Sequence, residues 1–358
     1  MRSGHEDEKA VIHILPAGGW RNRQPFAYAP LLQALGDRIE LVDSPNDAQI
    51  VLVSHFKDFE LFGEQIHSML AQWPRLRLVL LSEEPLWDSC YMPDPFTRLQ
   101  RIRTPAGPVT CVVLNHQTTR IFRAAHIPYF LLTDRRYIAR YRACFDRNAG
   151  CSVEYWQRHF DRVPISAAFL ALRRTSPRYA PVFVGDTLRG LSVWRTTFAE
   201  NCRGHHVIRE GQGWSEGPKR QDLPDWHADK IGRFDLQVRY MSAFENTHQI
   251  DYVSEKIWDA FAVGAIPLYV AGAGHTVHRF LGSGGWINFH SYLDRAPRFD
   301  ADRAVDEAMA SAYAMTQDKL ARLFTDDKKI ESEYDRVCET LLAELEGVVG
   351  DVSRAPDC

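Results

Sequence analysis

With 358 residues and a net charge of −3, the chain is long enough for two ordinary domains and carries no electrostatic mark of a nucleic-acid binder. Its 45% hydrophobic and 25% charged residues exclude a disordered or fibrous chain. No run of about 18 apolar residues occurs, which argues against a membrane-spanning helix and leaves peripheral association with a membrane open.

The opening MRSGHEDEKA is polar and acidic, unlike a secretory signal. The seven cysteines (Cys90, Cys111, Cys144, Cys151, Cys202, Cys338, Cys358) are scattered, odd in number and without a C-x-x-C pair. Reduced thiols, a cytoplasmic setting and no zinc site are the expectation. None of the 14 histidines falls in H-E-x-x-H spacing, so no metal is expected, and His205–His206 reads as the start of a strand.

In chain order, 11–15 reads as a strand, followed by a loop at 16–23 holding Gly18–Gly19 and a helix over 26–35. Strands are expected at 39–42 and 49–53, and a helix at 61–72 from its apolar spacing. The run RLVLL at 77–81 has the continuous apolar character of a parallel strand buried on both faces. Further strands are expected at 109–114 and 129–132. Residues 135–173, rich in Arg and aromatics, read as helical. A new rhythm then opens with a strand at 181–185, a helix at 193–202, a strand at 206–209 and a loop over 211–229. Beyond it come a strand at 241–244, a helix over 253–263, strands at 266–270 and 285–289, and closing helices over 302–323 and 328–345. This β-then-α alternation predicts an α/β fold of two Rossmann-like halves. The boundaries are 1–135 for the first domain, 136–178 for a helical connection, 179–325 for the second domain, and 326–358 for a C-terminal helix and tail.

The segment 241–272, MSAFENTHQIDYVSEKIWDAFAVGAIPLYVAG, carries most of the chemistry. Ile257, Ala260, Phe261 and Gly264 fall at i, i+3, i+4 and i+7 and define one helix face. Tyr252, Ser254, Glu255 and Lys256 cluster where that helix begins, just after a strand. In an open α/β sheet, ligands bind outside the carboxyl ends of the strands. Free N–H groups and the positive end of the helix favour an anion there. Lys256 adds a full charge, and Glu255 can accept from sugar hydroxyls, so a phosphorylated sugar fits. Glu245 and Asn246 follow the strand and suit contacts to sugar or ribose hydroxyls. The plainer alternatives are that Ser254 caps the helix, that Glu255 and Lys256 are solvated, and that Glu245 bonds local backbone N–H groups.

The wording FEN, then DYVSEKIWDAFAVGAIP, resembles the signature of glycosyltransferase family 10, the α-1,3/1,4-fucosyltransferases, with Ser254 where the family usually has Thr. The resemblance implies a GT-B fold, two Rossmann-like domains facing each other across a cleft, with the acceptor on the N-terminal side and the nucleotide sugar on the C-terminal side. It implies an inverting, metal-independent transfer of L-fucose from GDP-fucose, with no cofactor, to a glycan such as an N-acetylglucosamine-containing saccharide or lipopolysaccharide. Animal members carry a membrane anchor before the catalytic domain. Its absence here fits a bacterial-type soluble member or a trimmed chain.

By the same resemblance, Tyr252 and Glu255 touch donor sugar and diphosphate. Arg195, in FVGDTLRGLSVWRTTF, falls on the diphosphate, with Arg189 as its substitute and Lys230 as a weaker candidate. The family's E-S-P segment, aligned on Pro85, makes Glu83 the general base, with Glu84 where Ser usually stands. Adjacent carboxylates on extended chain face opposite ways, so one of the two is expected to point at the acceptor. Like-charge proximity and partial burial are expected to raise the pKa of the base. The alternative is a surface turn with two solvated carboxylates. Gly18–Gly19–Trp20, Trp87 and His116 are expected near the acceptor. Asp300-Ala301-Asp302 has a D-x-D form but reads as a helix cap. Gly272 to Gly274 are expected near the nucleotide, and Trp286-Ile287-Asn288-Phe289 loosely resembles a further family segment. The surviving alternatives are another GDP-sugar donor, or a catalytically silent nucleotide-sugar-binding protein.

Overall fold

The computed structural model describes residues 10–183, 187–215, 222–282 and 284–350. The chain divides after Ala125 and again before Ser332 into two units.

The first unit is built on β1 (Ile12–Pro16), β2 (Ile39–Leu41), β3 (Ile50–Val53), β4 (Arg77–Leu81), β5 (Leu99–Thr104) and β6 (Gly107–Leu114). Among the described residues these form one six-stranded sheet in the order β2-β1-β3-β4-β6-β5. All neighbours are parallel except β5, which pairs antiparallel with β6. Helices α1 (Ala29–Leu35), α2 (Asp58–Leu61), α3 (Gly63–Gln72) and α4 (Pro85–Tyr91) connect the strands. β3 is buried at every residue, and Val51, Val53, Leu78, Leu80 and Val113 pack with Phe59 and Ile66 in one core. Each fully buried aliphatic side chain of this kind contributes roughly 1.5–3 kcal/mol. Residues 332–350 group with this unit. There Glu344 binds Arg98 at 2.7 Å and the Thr119 hydroxyl at 2.7 Å, while Leu341 and Leu345 are fully buried.

The second unit opens with α5 (Arg135–Ala149) and α6 (Val153–Arg162), then β7 (Ile165–Leu170) and β8 (Leu188–Gly190). It continues through α7 (Ser192–Asn201), β9 (Cys202–Arg203), β10 (Val207–Glu210), α8 (Trp226–Phe234), β11 (Val238–Ser242) and β12 (Thr247–Gln249). Then come α9 (Lys256–Ala262), β13 (Ile266–Tyr269), α10 (Val277–Leu281), β14 (Ile287–Asn288), β15 (Phe299–Asp300) and α11 (Glu307–Thr325). A last helix, α12 (Asp327–Gly350), carries the chain back to the first unit. The main sheet runs β10-β7-β11-β13-β14, parallel throughout.

Both units thus share a doubly wound order in which the first parallel strand lies between the second and the third. The strand order reverses between β1 and β3 in one unit, and between β7 and β11 in the other. Those reversals are where the loops beyond the carboxyl ends part and leave room for a ligand. The expectation of two Rossmann-like α/β halves holds for each unit taken separately.

Several local expectations need correction. Residues 129–132 form a 3-10 turn, Tyr129–Leu132, rather than a strand; Pro128, with φ −55°, leads directly into it, and four apolar residues do not distinguish the two states. The supposed helical connection contains β7, whose first five residues are fully buried, as expected of a strand covered on both faces. The strand expected at 181–185 falls partly on residues outside those described, and Val182 makes an isolated antiparallel bridge to Arg189. Residues 216–221 of the expected 211–229 loop also lie outside them, and from Trp226 the chain is helical. The helix expected from 253 begins at Lys256, and the one expected from 302 begins at Glu307 behind an Asp306 cap. Asp300 and Asp302 cap no helix: Asp302 instead binds His205 and Ser166. β5 and α4 were not anticipated.

Gly264 ends the α9 turn at φ +77°, and a Cβ there would sit 2.6 Å from Leu236 Cδ2. Gly264→Ala is expected to destabilise the protein by about 1–2 kcal/mol through left-handed strain alone. Denaturant unfolding measures this directly, and an unchanged midpoint would show that the turn can reshape.

Candidate functional site

In the second unit the chain leaves β11 at Ser242 and reaches Glu245, whose carboxylate is buried at the carboxyl end of a parallel strand. Three groups converge on it. The Ser254 backbone N–H donates at 2.8 Å, the Ser254 hydroxyl at 2.7 Å, and the Lys256 ammonium at 2.8 Å. The ammonium also lies 2.7 Å from Ser254 Oγ and 3.8 Å from Glu255 Oε1. Burial pushes the Glu245 carboxyl up despite Lys256, and Glu255 adds to the rise. Ser254 therefore does not cap α9. Glu255 occupies the cap position without a side-chain cap bond, and Lys256 is the first helical residue. Neither is a solvated surface residue, since Glu255 is buried and the Lys256 side chain is 21% exposed.

Arg195, on α7, is buried rather than solvated, and its Nη1 donates to the Phe244 carbonyl at 3.3 Å, next to Glu245. The Asn246 carbonyl accepts from Leu191 N–H at 2.8 Å, which ties the start of α7 to the loop after β11. Arg195, Glu245, Asn246, Ser254, Glu255 and Lys256 are thus brought together at the strand-order reversal of this sheet. The Tyr252 ring is 1% exposed and packs edge-on against Phe130 at 5.5 Å. Arg189 binds Asp294 and the Leu293 carbonyl, both at distances above 3 Å. Lys230 is committed elsewhere: it meets Asp259 Oδ2 at 2.7 Å, while His227 and the Tyr141 hydroxyl hold Oδ1 at 2.8 and 2.6 Å. Burial opposes the Asp259 charge, but Lys230 and His227 outweigh it and hold the carboxyl below its ordinary range.

In the first unit the loops after β1, β3 and β4 meet. Gly18, at φ +85°, wraps the chain so closely that a Cβ would touch the Asp58 carboxylate at 2.3 Å, and Gly19 N–H donates to Asp58 Oδ1 at 2.9 Å. This turn sends Trp20 and Arg23 toward β4. Glu83 is fully buried and accepts from the Tyr28 hydroxyl and from Arg23 Nε at 3.3 Å. Glu84 stands at the N-terminal cap position of α4 without a side-chain cap bond and lies 3.5 Å from Arg23 Nη2. One guanidinium therefore serves both carboxylates, so the solvated-turn alternative fails and the like-charge repulsion expected between them is offset. Burial opposes the Arg23 charge, yet Glu83, Tyr28 and Glu84 together hold it protonated well above its usual range. Burial and Glu83 likewise raise Tyr28 far above an ordinary phenol.

Around these groups His55 lies against Trp20 at 4.5 Å and Trp87 at 4.4 Å. Burial and Lys57 push its pKa down to about 4, so it is neutral at pH 7. His116 stacks on Phe122 at 3.9 Å, and burial lowers it to about 3. Arg23, Tyr28, His55, Asp58 and Asp88 were missed in the sequence; the strand-end rule, had it been applied to the loops after β1 and β3, would have pointed toward the first four. Among the described residues no cluster of three or more His, Cys, Asp or Glu side chains is arranged to hold a metal ion. None of the described helices is long and apolar enough to cross a membrane.

Asp88, one turn beyond Glu84 on α4, is pushed up to about 8, chiefly by burial, with Glu84 adding and Ser82 opposing. The native state therefore holds a proton that the unfolded chain releases near 3.8, the ordinary value of an aspartate. This contribution to stability is complete in acid and is lost as pH rises from that value through about 8. Asp88→Asn is expected to flatten the pH dependence of unfolding across this window and to exceed the wild type above it by a few kcal/mol, on the order the linkage allows. Parallel curves for the two proteins would refute the assignment.

Residues 217–301 match the family model described as "Glycosyltransferase family 10 (fucosyltransferase) C-term". No curated protein sequence matches the chain. Three solved structures align over nearly the whole chain at 13% identity. A crystal structure of alpha1,3-fucosyltransferase with GDP-fucose covers 100% of this chain and 96% of its own, with a TM-score of 0.45. A further crystal structure of alpha1,3-fucosyltransferase has a TM-score of 0.45 and one with GDP 0.44, each covering 99% of this chain and 94% of the other.

Proposed function

We propose, from the match of residues 217–301 to the C-terminal domain model of glycosyltransferase family 10, that this chain moves L-fucose from GDP-fucose to a hydroxyl of a glycan. The reading is a single inverting displacement that needs no metal. Lys256 and Arg195 offset the charge that grows on the departing diphosphate. Glu245, Asn246 and Glu255 orient donor sugar and ribose through hydrogen bonds to hydroxyls, and Tyr252, buried against Phe130, supports the loop that carries them. Glu83, with Glu84 beside it, takes the proton of the acceptor hydroxyl as it attacks.

One observation carries the reading: the knot of Glu245, Ser254 and Lys256, which fixes an ammonium on the first turn of α9 at the carboxyl edge of β11. A lysine serving stability alone would be expected on the solvated face of its helix. Here a buried carboxylate aims it from the strand end at which α/β sheets bind ligands. A diphosphate can take over the role of Glu245 toward the ammonium, and Glu245, whose pKa is already raised, can then hold a proton or a sugar hydroxyl.

A thermal-shift series with GDP, GDP-fucose and GDP-mannose, with and without chelator, tests the donor. Saturation at 100 times Kd is expected to add about 2.7 kcal/mol and raise Tm by roughly 5 °C or more, regardless of chelator. Lys256→Gln is expected to abolish most of that shift. No stabilisation by any GDP compound would count against the assignment, and equal stabilisation by GDP-mannose would remove its fucose specificity. Glu83→Gln is expected to lower kcat roughly 100- to 10,000-fold while GDP binding persists. If Glu83→Gln and Glu84→Gln each left turnover intact, the base would lie elsewhere.

A further inference from the structure

Three strand-end loops of the first unit converge on one cation. Arg23, from the loop after β1, reaches Glu83 through Nε at 3.3 Å and Glu84 through Nη2 at 3.5 Å. Its guanidinium also lies over the Trp87 ring, 5.2 Å from the centroid. Trp87, on α4, packs against His55 from the loop after β3, and His55 packs in turn against Trp20 from the loop after β1. The rings form a stack that ends on the guanidinium. Titratable and charged groups around this pair include Tyr28, which donates to Glu83, Asp88 one turn along α4, the neutral His55, and Lys57, seated over Tyr91 at 4.5 Å.

We propose that Arg23 is a positioning residue for proton transfer: it keeps Glu83 and Glu84 ionised side by side and aims them, and the Trp20–His55–Trp87 stack holds it in place. This rests on the reading of the Glu83–Glu84 pair as the proton acceptor. Two consecutive carboxylates without a cation between them would repel one another, and one would retain its proton. A protonated carboxyl accepts no proton from the substrate. A planar guanidinium can bond two carboxylates at once and stay charged throughout, whereas a lysine presents a single point charge on a flexible stem. The Trp87 ring adds a third contact to the two carboxylates and so limits the rotamers open to a side chain that is itself 39% exposed.

The test uses the full chain with Arg23→Gln and Arg23→Lys. In the pH profile of kcat/KM, the acidic limb of Arg23→Gln is expected to move up by about one unit or more, so that the rate loss is much larger at low pH than at high pH. Arg23→Lys is expected to fall between this variant and the wild type, and GDP affinity measured by titration is expected to stay unchanged. A loss of rate equal at every pH, or no loss, would overturn the proposal. Carbon-13 carboxyl NMR of glutamate-labelled protein reads the same effect without turnover. The midpoints of Glu83 and Glu84 are expected to rise in Arg23→Gln, and unmoved midpoints would overturn the proposal even if activity fell. Failure of the base assignment itself is seen separately, as retained turnover in both Glu83→Gln and Glu84→Gln, and the NMR measurement still decides what Arg23 does. Arg23→Lys supplies the same comparison should Arg23→Gln fail to fold.

Discussion

A carboxylate buried at the end of a parallel strand has to be matched by donors, and at Glu245 that requirement shapes the segment that follows. The Ser254 N–H and hydroxyl and the Lys256 ammonium all turn toward it, so the loop from 246 to 254 must return to the strand that launched it. α9 can then begin only at Lys256, after the serine has been used. The arrangement is costly in isolation, since burial alone drives the carboxyl toward protonation. Its consequence is a cation of fixed position beside a sheet edge, which a helix with a conventional serine cap would not supply.

A second buried carboxylate keeps the helix itself in place. Asp259, one turn into α9, receives Lys230, His227 and the Tyr141 hydroxyl, and so joins α9 to α8 and α5. Further along α5, Asn148 donates to the Phe261 and Ala262 carbonyls, which satisfies the open end of the short helix α9. The arginines that fill α5 are spent in the same manner: Arg147 pairs with Asp235 at 2.7 Å and Arg135 with Glu331 at 2.6 Å. What reads along the sequence as a basic stretch therefore pairs with carboxylates of neighbouring elements.

The first unit solves a related problem with the signs exchanged. There two carboxylates stand on consecutive residues after β4, and the matching charge comes from a different strand-end loop. The tight turn at Gly18, folded over Asp58, brings Arg23 within reach. Both units thus place their ionic groups where a doubly wound sheet opens, as its strand order requires.

Much of this was legible from residue pattern. RLVLL marked β4 at its true bounds, and the apolar spacing of Ile257, Ala260 and Phe261 marked the buried face of α9. The position of Glu245, Glu255 and Lys256 at a strand end followed from the same local reading. β7 did not, because a short buried run of small and apolar residues such as ISAAFL looks alike whether helix or strand. β5 was missed although Leu99, Arg101 and Arg103 alternate with buried positions, because its charged face resembles a loop.

The sequence by itself determined the alternation of strands and helices and the family signature, since both are written in near-neighbour spacing. Only the tertiary structure decided which charges meet: Arg23 with Glu83 across 60 positions, Lys230 with Asp259 across 29, Lys256 with Glu245 rather than with solvent. Such pairings depend on which loops a sheet brings to one edge, and strand order is a property of the folded chain, not of any window along it.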